Sequence, residues 1–94
     1  MNRDEMAEMM KARIDEWNAE LDKATARLDK ASADAQRRYA EQIAEMAQRR
    51  DEAQAKLEEL RAQSGEHWEK FEASARKAWD DIADGFRRAW GRFD

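Results

Sequence analysis

His67 is the only histidine in a chain that has no cysteine, so metal or triad chemistry would have to be built around it. A di-iron bundle site needs a Glu-x-x-His motif on facing helices, and Gln63 and Ser64 stand where that glutamate would lie. Three serines and no glycine-rich elbow or phosphate loop leave no activated nucleophile. The carboxylates Glu58-Glu59 and Asp80-Asp81-Asp84 could offer oxygen ligands to a hard cation. A straight helix splays such residues outward, however, and the calcium-loop pattern with its central glycine is absent. These residues predict no catalytic residue, no metal and no cofactor: the protein is expected not to be an enzyme.

The charged residues point the same way. The chain has 18 basic and 22 acidic residues, for a net charge of -4. The basic pairs Arg37-Arg38, Arg49-Arg50, Arg76-Lys77 and Arg87-Arg88 each sit among acids that cancel attraction to phosphates, so no nucleic-acid partner is expected. Absence of cysteine fits a reducing compartment, and Met1–Glu5 is acidic and polar where a secretory signal needs a basic end followed by an apolar stretch. The expected location is cytoplasmic. The longest apolar run is far short of the ~20 residues that span a bilayer.

The elements that would position these side chains are helices, since 43% of residues are charged and proline is absent. Asn2 followed by Glu5 resembles a capping box that starts a helix near residue 3. From there Met6, Met10, Ile14, Trp17, Leu21, Ala24, Leu28, Ala31 and Ala35 alternate steps of four and three, the seam of a coiled coil. Tyr39, Ile43 and Met46 continue it through a four-residue stutter that need not break the helix. A turn at Ala31-Ser32-Ala33-Asp34 would divide the chain into three helices of similar length, but no glycine or proline marks it.

Ser64-Gly65-Glu66-His67 is the expected interruption, with Gly65 suited to the left-handed position after a helix and Ser64 able to cap the next. Beyond it an eleven-residue repeat places Trp68, Trp79 and Trp90 in one slot, Phe71, Ile82 and Phe93 in a second, and Ala75 and Phe86 in a third. The same frame runs backwards through Ser64, Leu60 and Leu57 to Ala53, Arg49 and Met46, so the pattern outlasts the glycine. Eleven residues over three turns leave a seam that runs nearly straight. Arg49 or Arg50 must fall in or beside it, where a polar residue fixes register.

The predicted fold is all-α: a single domain over 1–94, with a helix over about 3–63, a turn over about 63–66 and a returning helix over about 67–92. Bulky aromatics on the second helix match the alanines of the first (Ala24, Ala31, Ala35 and Ala53), which favours this long antiparallel hairpin. A ~90 Å helix facing a ~40 Å one leaves Met6, Met10, Ile14, Trp17, Leu21 and Leu28 bare. Each large side chain left in water costs about 1.5–3 kcal/mol, so self-association into a helical bundle is predicted. The expected interface is that stripe together with Trp68, Phe71, Trp79, Ile82, Phe86 and Trp90. The aromatic stripe also permits a membrane-surface reading, but residues 65–94 hold six basic against seven acidic residues where lipid-binding helices carry a basic excess.

Four segments carry a resemblance: Met1-Asn2-Arg3-Asp4-Glu5, Ile14-Asp15-Glu16-Trp17-Asn18-Ala19-Glu20, residues 50–60 from Arg50-Asp51-Glu52 to Glu58-Glu59-Leu60, and Gly65-Glu66-His67-Trp68. Together they resemble a family of small bacterial coiled-coil stress-response proteins. The resemblance implies a cytoplasmic, stress-linked, non-catalytic protein and assigns no functional residue.

Overall fold

The computed structural model describes residues 2–93, the side chains of 92 and 93 excepted. Among the described residues there are three helices and no strand: α1 (Arg3–Lys30), α2 (Ala33–Arg61) and α3 (Gly65–Phe93). They run up, down and up in a bundle 53 Å long and 17 × 16 Å across, so α1 and α3 are parallel to each other and antiparallel to α2.

Each boundary has a local cause. The Asn2 side chain accepts the Glu5 N–H at 2.8 Å, and Asp4 and Glu5 place negative charge in the first turn, where the helix dipole favours it. The expected single helix over 3–63 is instead two, because the chain leaves the helical region at Ala31 (φ -84°, ψ 160°) and Ser32 (φ -65°, ψ 162°). Ser32 then caps α2, accepting the Ala35 N–H at 3.4 Å, with Asp34 in the first turn. Extended backbone is open to any L-residue, so this turn needed neither glycine nor proline. Gln36 Nε2 closes it from outside by donating to the Leu28 carbonyl at 3.3 Å.

The second turn, expected over about 63–66, covers 62–64 and is built differently. Gly65 opens α3 as a helical residue, and no described residue has a positive φ, so the left-handed role expected of it is absent. Ala62 keeps helical angles (φ -77°, ψ -13°), and the Ser64 carbonyl accepts the His67 N–H at 3.2 Å. The Arg3 guanidinium donates to the Gln63 carbonyl, tying the start of α1 to this turn.

A third helix overturns the bare stripe. Met6 and Met10 are 1% exposed, and Ile14, Trp17 and Leu21 are buried with them. Met46, Ala53, Leu57 and Leu60 enter the same core from α2, and Trp68, Ala75, Trp79, Ile82, Ala83, Phe86 and Ala89 enter it from α3. Leu28, Phe71 and Trp90 are half-buried. The exposed stripe that was to drive association is therefore satisfied within one chain. In dilute solution, small-angle scattering should give a longest dimension close to the 53 Å of the bundle. A monomeric particle of ~90 Å, the length of an unbroken 61-residue helix, would contradict the turn at Ser32.

Candidate interaction groove

The α1–α3 contact is made by rings. Trp17 of α1 lies between Trp79 and Phe86 of α3, with ring centroids at 5.2 Å and 4.6 Å and interplanar angles of 9° and 13°. Trp79 and Phe86 are seven residues apart, two turns along α3, and Ala83 between them has no bulk to fill the slot. Intercalating a tryptophan in this way holds the α1 and α3 backbones apart, whereas each packs closely on α2. The separation leaves a groove along the outer side of the α1–α3 pair.

Two concavities follow that groove. One of ≈ 300 Å³ is lined by Arg13, Glu16, Trp17, Glu20, Ala83, Phe86, Arg87 and Trp90. The other, of ≈ 340 Å³, is lined by Met6, Met9, Arg13, Arg76, Trp79 and Asp80. Arg13 lines both, and the rings beneath them, Trp17, Trp79 and Phe86, are at most 6% exposed. The rims carry both signs of charge: Arg13 reaches Glu16 at 3.9 Å, Arg76 reaches Glu72 at 3.0 Å and Arg87 reaches Asp84 at 3.5 Å. At the upper end the Arg27 guanidinium lies 5.9 Å from the Trp90 ring centroid, within cation–π range.

The α2–α3 face is organised around a missing side chain. Gly85 is buried, and a Cβ added there would stand 2.5 Å from Arg49 Nε and 2.9 Å from Arg49 Cδ. Arg49 fills that space, with Nη1 bonded to Glu52 at 3.1 Å and Nε buried without a hydrogen-bond partner. An unsatisfied buried donor costs about 1–3 kcal/mol. Glu45, Arg49, Gly85 and Arg88 line a further hollow of ≈ 490 Å³ on this side. Arg50 serves a different interface, donating to Asn18 Oδ1 on α1 at 3.1 Å and to Asp51 on its own helix. Both arginines beside the seam are thus half-buried and each touches a different neighbour.

The expected interface residues Met6, Met10, Ile14, Trp17, Leu21, Trp68, Trp79, Ile82 and Phe86 are brought together, but in the core of one chain. The Phe93 side chain lies outside the described residues. The groove rims and the Gly85–Arg49 pair are not among the expected site residues, although a glycine inside a helical pattern, costly against alanine, points to a packing reason. His67 is exposed, and no group of three or more histidine, cysteine, aspartate or glutamate residues is placed to hold a metal ion among the described residues. Among those residues, no helix is long and apolar enough to cross a membrane.

Trp17→Ala should lower unfolding free energy by about 3–5 kcal/mol, a large share of the ~5–15 kcal/mol of a typical domain. Urea unfolding followed by circular dichroism measures it, and a loss below ~1 kcal/mol would deny the slot its role. Gly85→Ala should stabilise by the full helix-propensity gain of about 1 kcal/mol in Arg49→Ala and by clearly less with Arg49 present, where the added methyl makes the flexible end of Arg49 shift. Equal effects in both backgrounds would uncouple the pair. No protein-family model, curated protein or solved structure matches the chain.

Proposed function

We propose that the chain is a non-catalytic helical interaction module, stress-linked through the family it resembles, that receives an amphipathic helix of a protein partner in the α1–α3 groove. The observation that carries the reading is the groove itself. Two parallel helices held apart by the Trp17 ring stack leave hollows along the line where an antiparallel fourth helix would complete a four-helix bundle. The rims, with Arg13, Arg76 and Arg87 facing Glu16, Glu20 and Asp80, suit a helix whose flanks carry both signs and not a polyanion. A cytoplasmic setting, expected from the absence of cysteine, belongs to the same reading.

Self-association through the Met6–Leu28 stripe has no bare stripe to act through in the closed bundle. A peripheral lipid-surface role for the aromatic stripe needs the bundle to open, because Trp68, Trp79, Ile82 and Phe86 are core residues.

The test compares two positions in the native cell. A photoreactive residue replacing Met9, on the groove, should cross-link one defined partner through a helical segment under stress. The same residue replacing Ala44, exposed on α2, should not. Adducts at neither position, or the same adducts at both, would remove the groove as the working surface.

A further inference from the structure

We infer that the closed bundle can exchange α3 with a second copy of the chain, the α2–α3 turn straightening so that residues 33–93 run as one helix. This goes beyond the groove reading and is independent of it, since each lobe of the exchanged dimer rebuilds the same groove.

The first support is phase. Met46, Arg49, Ala53, Leu57, Leu60, Ser64, Trp68, Phe71, Ala75, Trp79 and Ile82 follow steps of three, four and four through the turn without a slip. The seam is in phase across Ser32 as well, but there the extended backbone of Ala31 and Ser32 departs far from helix, so phase and near-helical geometry coincide only at the second turn. Here a straightened helix would carry one unbroken stripe, running nearly straight as an eleven-residue repeat does.

The second support is how little the turn departs from helix. Ala62, Gln63 and Ser64 alone separate α2 from α3, Ala62 already has helical angles, and its N–H bonds the Glu58 carbonyl at 3.1 Å as in a continuing helix. The chain has no proline, and the turn uses no positive φ. A short connection of this kind is the usual hinge of domain exchange. One contact opposes it: the Arg3 guanidinium holds the Gln63 carbonyl, which in a continuous helix would instead accept the His67 N–H. Arg3 therefore acts as a clasp on the turn.

The partner follows from identity of surface. The place that α3 leaves, between α1 and α2, is filled without change by the same helix from another copy, Trp79 and Phe86 again closing on Trp17. Each lobe then consists of α1 and α2 of one chain and α3 of the other, and the two long helices cross near residue 63. Association needs no new apolar surface, so it is compatible with a stripe buried in the monomer.

The test refolds the whole chain at high concentration and separates monomer from dimer by size exclusion with light scattering. Three forms are compared: the unmodified chain, Arg3→Ala and Gly65→Pro. A side chain at Gly65 meets nothing within 4 Å, and proline is at home in the first turn of a helix but not in its interior. Gly65→Pro should therefore keep the monomer and abolish the dimer, while Arg3→Ala should raise the dimer fraction several-fold. Exchange is read directly from Arg49→Cys/Gly85→Cys in this cysteine-free chain. On oxidation its dimer fraction should run as a covalent dimer on a non-reducing gel and its monomer fraction as a monomer. If those thiols fail to pair, scattering from the unmodified dimer should show a particle about twice the 53 Å of the bundle. Monomer alone at every concentration, a dimer that survives Gly65→Pro, or one whose disulfides stay within each chain would overturn the inference.

Discussion

The rest of the molecule depends on Trp17 being held flat between Trp79 and Phe86. Rings stacked on both faces bury a large apolar area and fix α1 and α3 in rotation and in height, because a tryptophan in a two-turn slot tolerates little sliding. The same ring sets how far apart the two parallel helices stand. Separation at this contact has to be made up elsewhere if the core is to reach close-packed density. It is made up by α2, whose inward positions include Ala53, fully buried, and which approaches both neighbours closely. The groove on one side and the tight packing on the other are two consequences of one side chain.

Polar contacts then select among arrangements that the apolar core alone would allow. Arg50 to Asn18 ties α2 to α1 at mid-height, Gln36 to the Leu28 carbonyl ties them at the upper turn, and Arg3 to the Gln63 carbonyl ties α1 to the lower one. Surface ion pairs such as Lys56–Glu59 and Arg61–Glu58 lie within single helices and contribute about 1 kcal/mol or less each. Arg49 works differently. Its guanidinium lies against Gly85, the position where α3 has no side chain, so a change of α2–α3 register would drive it into a side chain. An unpartnered Nε is a cost that a hydrophobic residue would avoid, and fixed register is what that cost accompanies.

Much of this was legible in the sequence. The apolar stripe named the buried residues of α1, Asn2 marked the first helix start, and the aromatic repeat marked the face of α3 that enters the core, though not Ala83 and Ala89, which are buried there too. The turn at Ser32 was legible only as a second choice, because periodicity reports which face of a helix is apolar and not whether the chain reverses between two apolar faces. The signal was Ser32 followed by Asp34, an N-cap with a first-turn acid. Such a cap is a weaker mark than glycine, which an extended turn does not need. At Gly65 glycine marks the neighbourhood of a turn, but the non-helical residues are 62–64 and the glycine is the first residue of α3, not a left-handed stop. The groove was not legible, since it depends on which two helices are parallel neighbours, and that follows from the number of turns.

Why the chain closes at Ser32 despite so weak a local signal is a matter of lengths. Helices of 28, 29 and 29 residues cover one another from end to end. A hairpin of one long and one short helix would leave Met6, Met10, Ile14, Trp17, Leu21 and Leu28 in water. At about 1.5–3 kcal/mol for each large side chain, that penalty is of the order of the whole stability of a small domain. Losing one or two helical hydrogen bonds to form an extended turn costs about 1 kcal/mol apiece, so the turn wins by a wide margin wherever the chain permits it. The same comparison explains why the seam can stay in phase across both turns without harm. A turn is decided by what it buries, and an apolar stripe that remains continuous leaves each of its segments equally able to be covered by its own chain or by an identical one.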